Sequence, residues 1–319
     1  MPGEAIVLMG PTGAGKSDAA LALAGRLPLE IISVDSAMVY RGLDIGTAKP
    51  SAAVRARTPH RLIDIRDPRE RFSVAEFLAE AEAAMADAAA RGRVPLLVGG
   101  TMLYFRALQS GLAALPAADP ALRAALAARA AAEGWPALHA ELARVDPEAA
   151  SRIRPADGQR VQRALEVHAL TGRPLSAQRA QDLRGASRTR WLKLVIAPAE
   201  RAALAAALER RLDAMLAAGF VAEVAALRAR GDLDASLPAM RAVGYRQLWQ
   251  HLAGDLDLPS ARLAALAATR QLAKRQYTWL KAEPSAEWFD AADPGLGGRL
   301  AGRVEQWNLT HCKQSESVC

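Results

Sequence analysis

Residues Gly10-Pro11-Thr12-Gly13-Ala14-Gly15-Lys16-Ser17 match the pattern G-x-x-x-x-G-K-[ST] at every fixed position. The loop follows an apolar run over 5–9 and leads into a helical pattern over 17–27, the strand–loop–helix setting in which this pattern binds phosphate. Its glycines let backbone N–H groups turn inward around anionic oxygens, and the helix N-terminus adds partial positive charge. Lys16 supplies a mobile full charge, and the Ser17 hydroxyl is placed to ligate Mg²⁺.

The surrounding pattern agrees with such a loop. Strand-like runs at 5–9, 30–34, 61–65 and 94–98 alternate with helical patterns at 17–27 and 73–91, which predicts an α/β fold with a parallel sheet. Ser73 and Glu76 stand at capping-box spacing, and Gly92 follows the second helix. Over 117–188 the pattern turns helical only: Asp119-Pro120 opens a helix that Gly134 closes, and Asp157 caps one that ends at Gly172. A strand-like run at 191–196 is expected to rejoin the first sheet, with helices following over about 199–218, 220–230, 238–252 and 259–282. The expected organisation is a P-loop core over 1–116 and 189–293, a helical insertion domain over 117–188, and a patternless tail over 294–319.

Composition narrows the function classes. The chain's 319 residues suit about two domains, and 51% apolar with 24% charged residues suits a soluble globular protein. Uncharged apolar runs stop at 12 residues, short of the roughly 18 needed for a membrane span. No basic residue precedes the first apolar run, so it does not read as a secretory signal. Cys312 and Cys319, both near the C-terminus, point to a reducing cytoplasm. The net charge of +7 favours a polyanionic partner; six of the 41 basic residues are lysines and the rest are arginines, which suit bidentate phosphate contacts.

Most loops of this pattern hold ATP or GTP with an acid at the end of another strand. The run at 30–34 ends in such an acid, Asp35, which could support a metal or accept a proton; the run at 94–98 leads into Gly99-Gly100-Thr101 with none.

Together these segments resemble the tRNA dimethylallyltransferases, also called tRNA isopentenyltransferases. The resemblance rests on the phosphate loop and on the run from Ile32 through Asp35-Ser36-Ala37-Met38 to Gly46-Thr47-Ala48-Lys49-Pro50. It continues in Pro59-His60-Arg61-Leu62, Gly99 to Tyr104, Gln159 to Glu166, Val243 to Gln247, and Lys274 to Leu280. The resemblance implies prenyl transfer from dimethylallyl diphosphate, held by the loop with Arg211 and Mg²⁺, to N6 of the adenine beside the tRNA anticodon. Asp35 would be the general base, and Thr101 would hydrogen-bond near the amine or the donor.

The resemblance also implies the RNA-facing residues: Asp35, Ser36, Ala37, Met38, Thr101 and Arg123; Gln159-Arg160-Val161-Gln162-Arg163; Arg241-Ala242-Val243-Gly244-Tyr245-Arg246; and Lys274-Arg275-Gln276-Tyr277-Thr278-Trp279-Leu280-Lys281. The target base must be flipped out of its stack to reach the donor. The core and the insertion are expected to form a cleft that grips the anticodon arm of tRNA, with a monomer sufficing. Three rivals stay open: an adenylate isopentenyltransferase acting on free nucleotide, a small-molecule or nucleotide kinase, and a noncatalytic RNA-binding NTPase.

Overall fold

The computed structural model describes residues 3–113, 115–181, 183–184 and 189–316. The chain divides into two compact units, one formed by Met1–Phe105 and Arg188–Cys319, the other by Arg106–Ser187. The strands are β1 (Glu4–Met9), β2 (Leu29–Val34), β3 (His60–Arg61), β4 (Val94–Gly99), β5 (Leu112–Ala113), β6 (Leu183–Arg184), β7 (Arg190–Ala197) and β8 (Glu287–Asp290).

In the first unit six strands form one sheet in the order β3-β2-β4-β1-β7-β8, every pairing parallel. Strand β7 returns beside β1, so the chain leaves this sheet for the second unit and comes back into it. The central strand reads as an unbroken apolar run because both its faces are covered: Ala5 to Met9 are 0% exposed. On one face Ile6, Leu8, Ile31, Leu96 and Leu194 meet Ala20 and Leu23 of the helix Lys16–Ala24. The helix Val74–Ala90 buries Phe77, Ala81, Ala84 and Ala88, and Ser73 and Glu76 complete its capping box.

The register fixes where loops emerge. Met9 and Val34 both pair with Gly99, so the segments after β1, β2 and β4 leave the sheet at one carboxyl edge. That is where ligands bind in parallel α/β sheets.

Three sequence expectations are corrected. The strand read at 61–65 stops at Arg61, because Leu62 (φ 62°) and Asp64 (φ 57°) take left-handed backbone that breaks the ladder. The helix read from 238 begins at Tyr245, after Gly244 at φ 90°. Beyond 294 the chain forms the helix Leu296–Glu316, which lays Leu300, Ala301, Val304 and Trp307 against the β1 core. Cys319 and the side chain of Cys312 lie outside the described residues.

The second unit is built on the helices Pro120–Glu133, Trp135–Val145, Pro147–Arg152, Gly158–Thr171 and Leu175–Gln181, with β5 and β6 paired antiparallel. Leu126, Leu138, Leu142, Val161, Leu165 and Leu175 form its core.

Candidate active site

The phosphate loop owes its shape to close packing at its glycines. A Cβ on Gly10 would collide with the Ile196 carbonyl, and one on Gly13 would stand 2.9 Å from Leu208 Cδ2. Gly13 and Gly15 hold φ values of 79° and 77°, which glycine adopts without strain. Gly15 caps the helix Lys16–Ala24 without a side-chain hydrogen bond, so the first-turn N–H groups remain for an anion.

Lys16 curls back so that Nζ donates to the Pro11 carbonyl at 2.7 Å. Burial lowers its pKa from 10.5 to about 8, with the Arg211 guanidinium pushing the same way and Asp35 opposing. Arg211 rides on the helix Arg201–Ala217, whose Leu208 packs on Gly13; burial lowers its pKa too, against Asp35 and Asp18. Among the described residues neither cation sits in a salt bridge, and a bound polyanion would relieve their repulsion.

Asp35 follows β2 directly. Its Oδ1 accepts from the backbone N–H groups of Ala37 at 2.8 Å and Met38 at 3.2 Å, so the turn holds the carboxylate by one oxygen. Thr101 follows β4, and its hydroxyl oxygen accepts the Ser36 N–H at 3.2 Å. The structure thus collects Lys16, Ser17, Asp35, Thr101 and Arg211 around one sheet edge.

The Asp44-to-Pro50 run plays a structural part. Lys49, its side chain 1% exposed, donates to Tyr40 O at 2.8 Å and to Asp44 Oδ1 and Asp64 Oδ1 at 2.6 Å each. Glu223 accepts from the N–H groups of Asp44, Ile45 and Gly46 at 2.7–3.2 Å and from the Tyr245 hydroxyl at 2.5 Å. A Cβ on Gly46 would strike the Phe220 and Tyr245 rings. The sequence marks neither Glu223 nor Lys49 as an anchor; Glu223's partners in the 44–46 loop lie 177–179 residues away, and no local pattern carries that signal.

The residues assigned to RNA divide by exposure. On the helix Leu258–Lys281, Lys274, Arg275, Thr278, Trp279 and Lys281 are exposed, Tyr277 is half-buried with its hydroxyl on Pro198 O, and Gln276 and Leu280 are buried. Around 241–246, Arg241 and Arg246 are exposed, while Gly244 and Tyr245 are buried and Ala242 and Val243 half-buried. Tyr245 is 0% exposed and packs edge-on against Phe220, so its ring belongs to the core.

In the second unit Gln159 and Arg160 are exposed and Val161 is 0% exposed. Glu166, 0% exposed, takes Arg123 Nε at 2.7 Å and Arg163 Nη1 at 2.5 Å, with the Asp119 N–H at 2.9 Å. Gln162 Nε2 donates to the Arg123 carbonyl at 2.9 Å. Arg123 and Arg163 therefore start from ion pairs, and only part of each guanidinium faces outward.

The family model described as IPP transferase matches residues 38–283. A protein of Bordetella petrii called tRNA dimethylallyltransferase is 57% identical, over 94% of this chain and 96% of its own. One of the same name from Bordetella pertussis is 60% identical over 91% and 93%. Among solved structures, the tRNA isopentenylpyrophosphate transferase of Bacillus halodurans matches with a TM-score of 0.69 at 36% identity, covering 97% of this chain and 99% of that one.

Proposed function

The chain belongs to the IPP transferase family, and from that premise we propose that it transfers a dimethylallyl group from dimethylallyl diphosphate to tRNA. The acceptor is N6 of the adenine 3′-adjacent to the anticodon, position 37, in tRNAs reading codons that begin with U; the product is N6-dimethylallyladenosine. One observation carries this reading: an anion cradle whose two cations, Lys16 and Arg211, sit in no salt bridge among the described residues opens beside the Asp35 carboxylate, whose Oδ1 is held by the turn.

The chemistry follows from that pairing. The allylic C1–O bond breaks, its electron pair leaves with diphosphate, and C1 gains carbocation character. The N–H groups of the loop, Lys16 and Arg211 oppose the charge growing on the leaving group, where preorganised electrostatics acts most strongly. The N6 lone pair forms the new C–N bond, and the N6 proton passes to Asp35, which offsets the weak nucleophilicity of an amine conjugated with the ring. Thr101, tied to the Asp35 turn through Ser36, is available to orient the amine.

Mg²⁺ fits as a partner of the bound diphosphate. Ser17 is exposed on the first helical turn, and its hydroxyl with phosphate oxygens and water would make the hard oxygen donor set that Mg²⁺ takes. When bound, the ion neutralises part of the leaving-group charge. Among the described residues no helix is long and apolar enough to cross a membrane. A monomer working in the cytoplasm, its helical unit taking the anticodon arm, completes the proposal.

The test is incubation with isotope-labelled dimethylallyl diphosphate, Mg²⁺ and tRNA lacking the modification, followed by mass analysis of nucleosides. Label should appear in dimethylallyladenosine from the anticodon loop. Label-free RNA, or transfer of terminal phosphate from ATP instead, would overturn the proposal.

A further inference from the structure

Gln276 lies within the RNA-assigned segment, yet it is 8% exposed and points the other way. Its Oε1 accepts the Thr12 N–H of the phosphate loop at 2.9 Å, and its Nε2 donates to the Gly100 carbonyl at 2.9 Å. The two bonds have opposite polarity, so an amide fits both and a carboxylate satisfies only one. Gly100 leaves room for this contact: a Cβ there would collide first with Gln276 Nε2.

We propose that Gln276 is a positioning residue for the diphosphate loop and not an RNA contact. It clamps the loop after β1 to the loop after β4. Thr12 is the neighbour of Pro11, whose carbonyl anchors Lys16 Nζ at 2.7 Å, so the clamp also holds the charge that meets the leaving group. The Thr12 N–H is committed to Gln276 and the Ala14 N–H to the Pro11 carbonyl at 3.3 Å, which leaves the ligand to the other loop N–H groups and the first helical turn. The helix that carries Gln276 turns Lys274, Arg275 and Thr278 to solvent, so one helix serves RNA on its outer face and the donor on its inner face.

This inference rests on the proposed diphosphate site, and the experiment separates the two. Inorganic pyrophosphate and unmodified tRNA are titrated separately into the full-length protein and into Gln276→Ala, Gln276→Glu and Gly100→Ala, with melting curves to verify folding. Pyrophosphate affinity should fall about tenfold in Gln276→Ala, the loss of about one buried hydrogen-bond pair. It should fall further in Gln276→Glu, where an acceptor faces the Gly100 carbonyl and a negative charge approaches the site. Gly100→Ala, whose Cβ strikes mainly the tip of Gln276 and comes within 3.3 Å of the Gly10 carbonyl, should behave like Gln276→Ala, and the Gln276→Ala/Gly100→Ala double variant, titrated alongside, should be no worse than either alone. The dissociation constant for tRNA should stay within twofold of wild type throughout.

In transfer assays KM for dimethylallyl diphosphate should rise while KM for tRNA holds. Weakened tRNA binding with unchanged pyrophosphate binding, or additive losses in the double variant, would overturn the inference. A wild-type protein that binds no pyrophosphate would instead overturn the proposed function.

Discussion

Ser36 donates its backbone N–H to the Thr101 hydroxyl oxygen across 3.2 Å, joining the loop after β2 to the loop after β4. The bond lies one residue from Asp35, whose Oδ1 is in turn held by Ala37 and Met38. The two side chains assigned to the amine are therefore set by one small backbone lattice.

That lattice makes Asp35→Asn an informative change. Asparagine keeps an oxygen for the Ala37 and Met38 N–H groups, so the turn should survive, but it cannot take a proton. Single-turnover transfer should fall by about 10²–10⁴-fold, the usual contribution of a general base. Equilibrium binding of tRNA and of pyrophosphate should change little. Activity within tenfold of wild type would remove Asp35 from proton transfer.

The depressed pKa of Lys16 predicts a pH dependence of donor binding. Below about 8 the ammonium is charged in the free protein, and above it the charge is progressively lost. Bound diphosphate favours the charged form, so binding is linked to protonation and weakens as pH rises through 8, approaching tenfold per unit. Titrations at pH 7, 8 and 9 should show this dependence in wild type. Taken relative to Lys16→Ala, the comparison cancels the ligand's own ionisation.

Lys49→Met tests the Asp44-to-Pro50 run as scaffold. It removes a buried cation from Asp44 and Asp64 and leaves Arg55 to neutralise Asp64 at 2.7 Å. Because both carboxylates retain some exposure, the expected loss is about 2 kcal/mol, below the full penalty of a buried broken pair. Urea unfolding measures it, and transfer per folded molecule at low temperature should be close to normal.

The outer face of the Leu258–Lys281 helix is tested by salt. Replacing Lys274, Arg275 and Lys281 together with alanine should weaken tRNA binding. It should also lower the slope of log Kd against log salt by about two, since each lost phosphate contact removes roughly 0.7–0.9. Pyrophosphate binding in the absence of RNA should hold. An unchanged slope would move the RNA elsewhere.

Much of this molecule could be read from its residues before any coordinates. The apolar runs that became β1, β2 and β4 are buried on both faces, so their pattern is continuous, and the glycine loop between β1 and its helix is a local motif. Long-range pairing is harder to read. Gln276 meets Thr12 across 264 residues of chain, and nothing near either residue announces the other. Segments assigned as blocks also hide the turn of a helix: Lys274 and Arg275 face out while Gln276 and Leu280 face in. The helix after 294 is hard to read from sequence because Gly297, Gly298 and Gly302 dilute its propensity; its support comes from packing, with Leu300, Val304 and Trp307 spaced by four and three.

That last helix ties the far end of the polypeptide to the underside of the anion cradle. Leu300, Ala301, Val304 and Trp307 share a core cluster with Ala19, Ala20 and Leu23, which belong to the helix whose opening turn borders the proposed diphosphate site. A version shortened to stop before Leu296 would retain every motif residue and still lose the backing that keeps that opening turn steady. In such a protein the first symptom of a missing C-terminus would be poor grip on the prenyl donor.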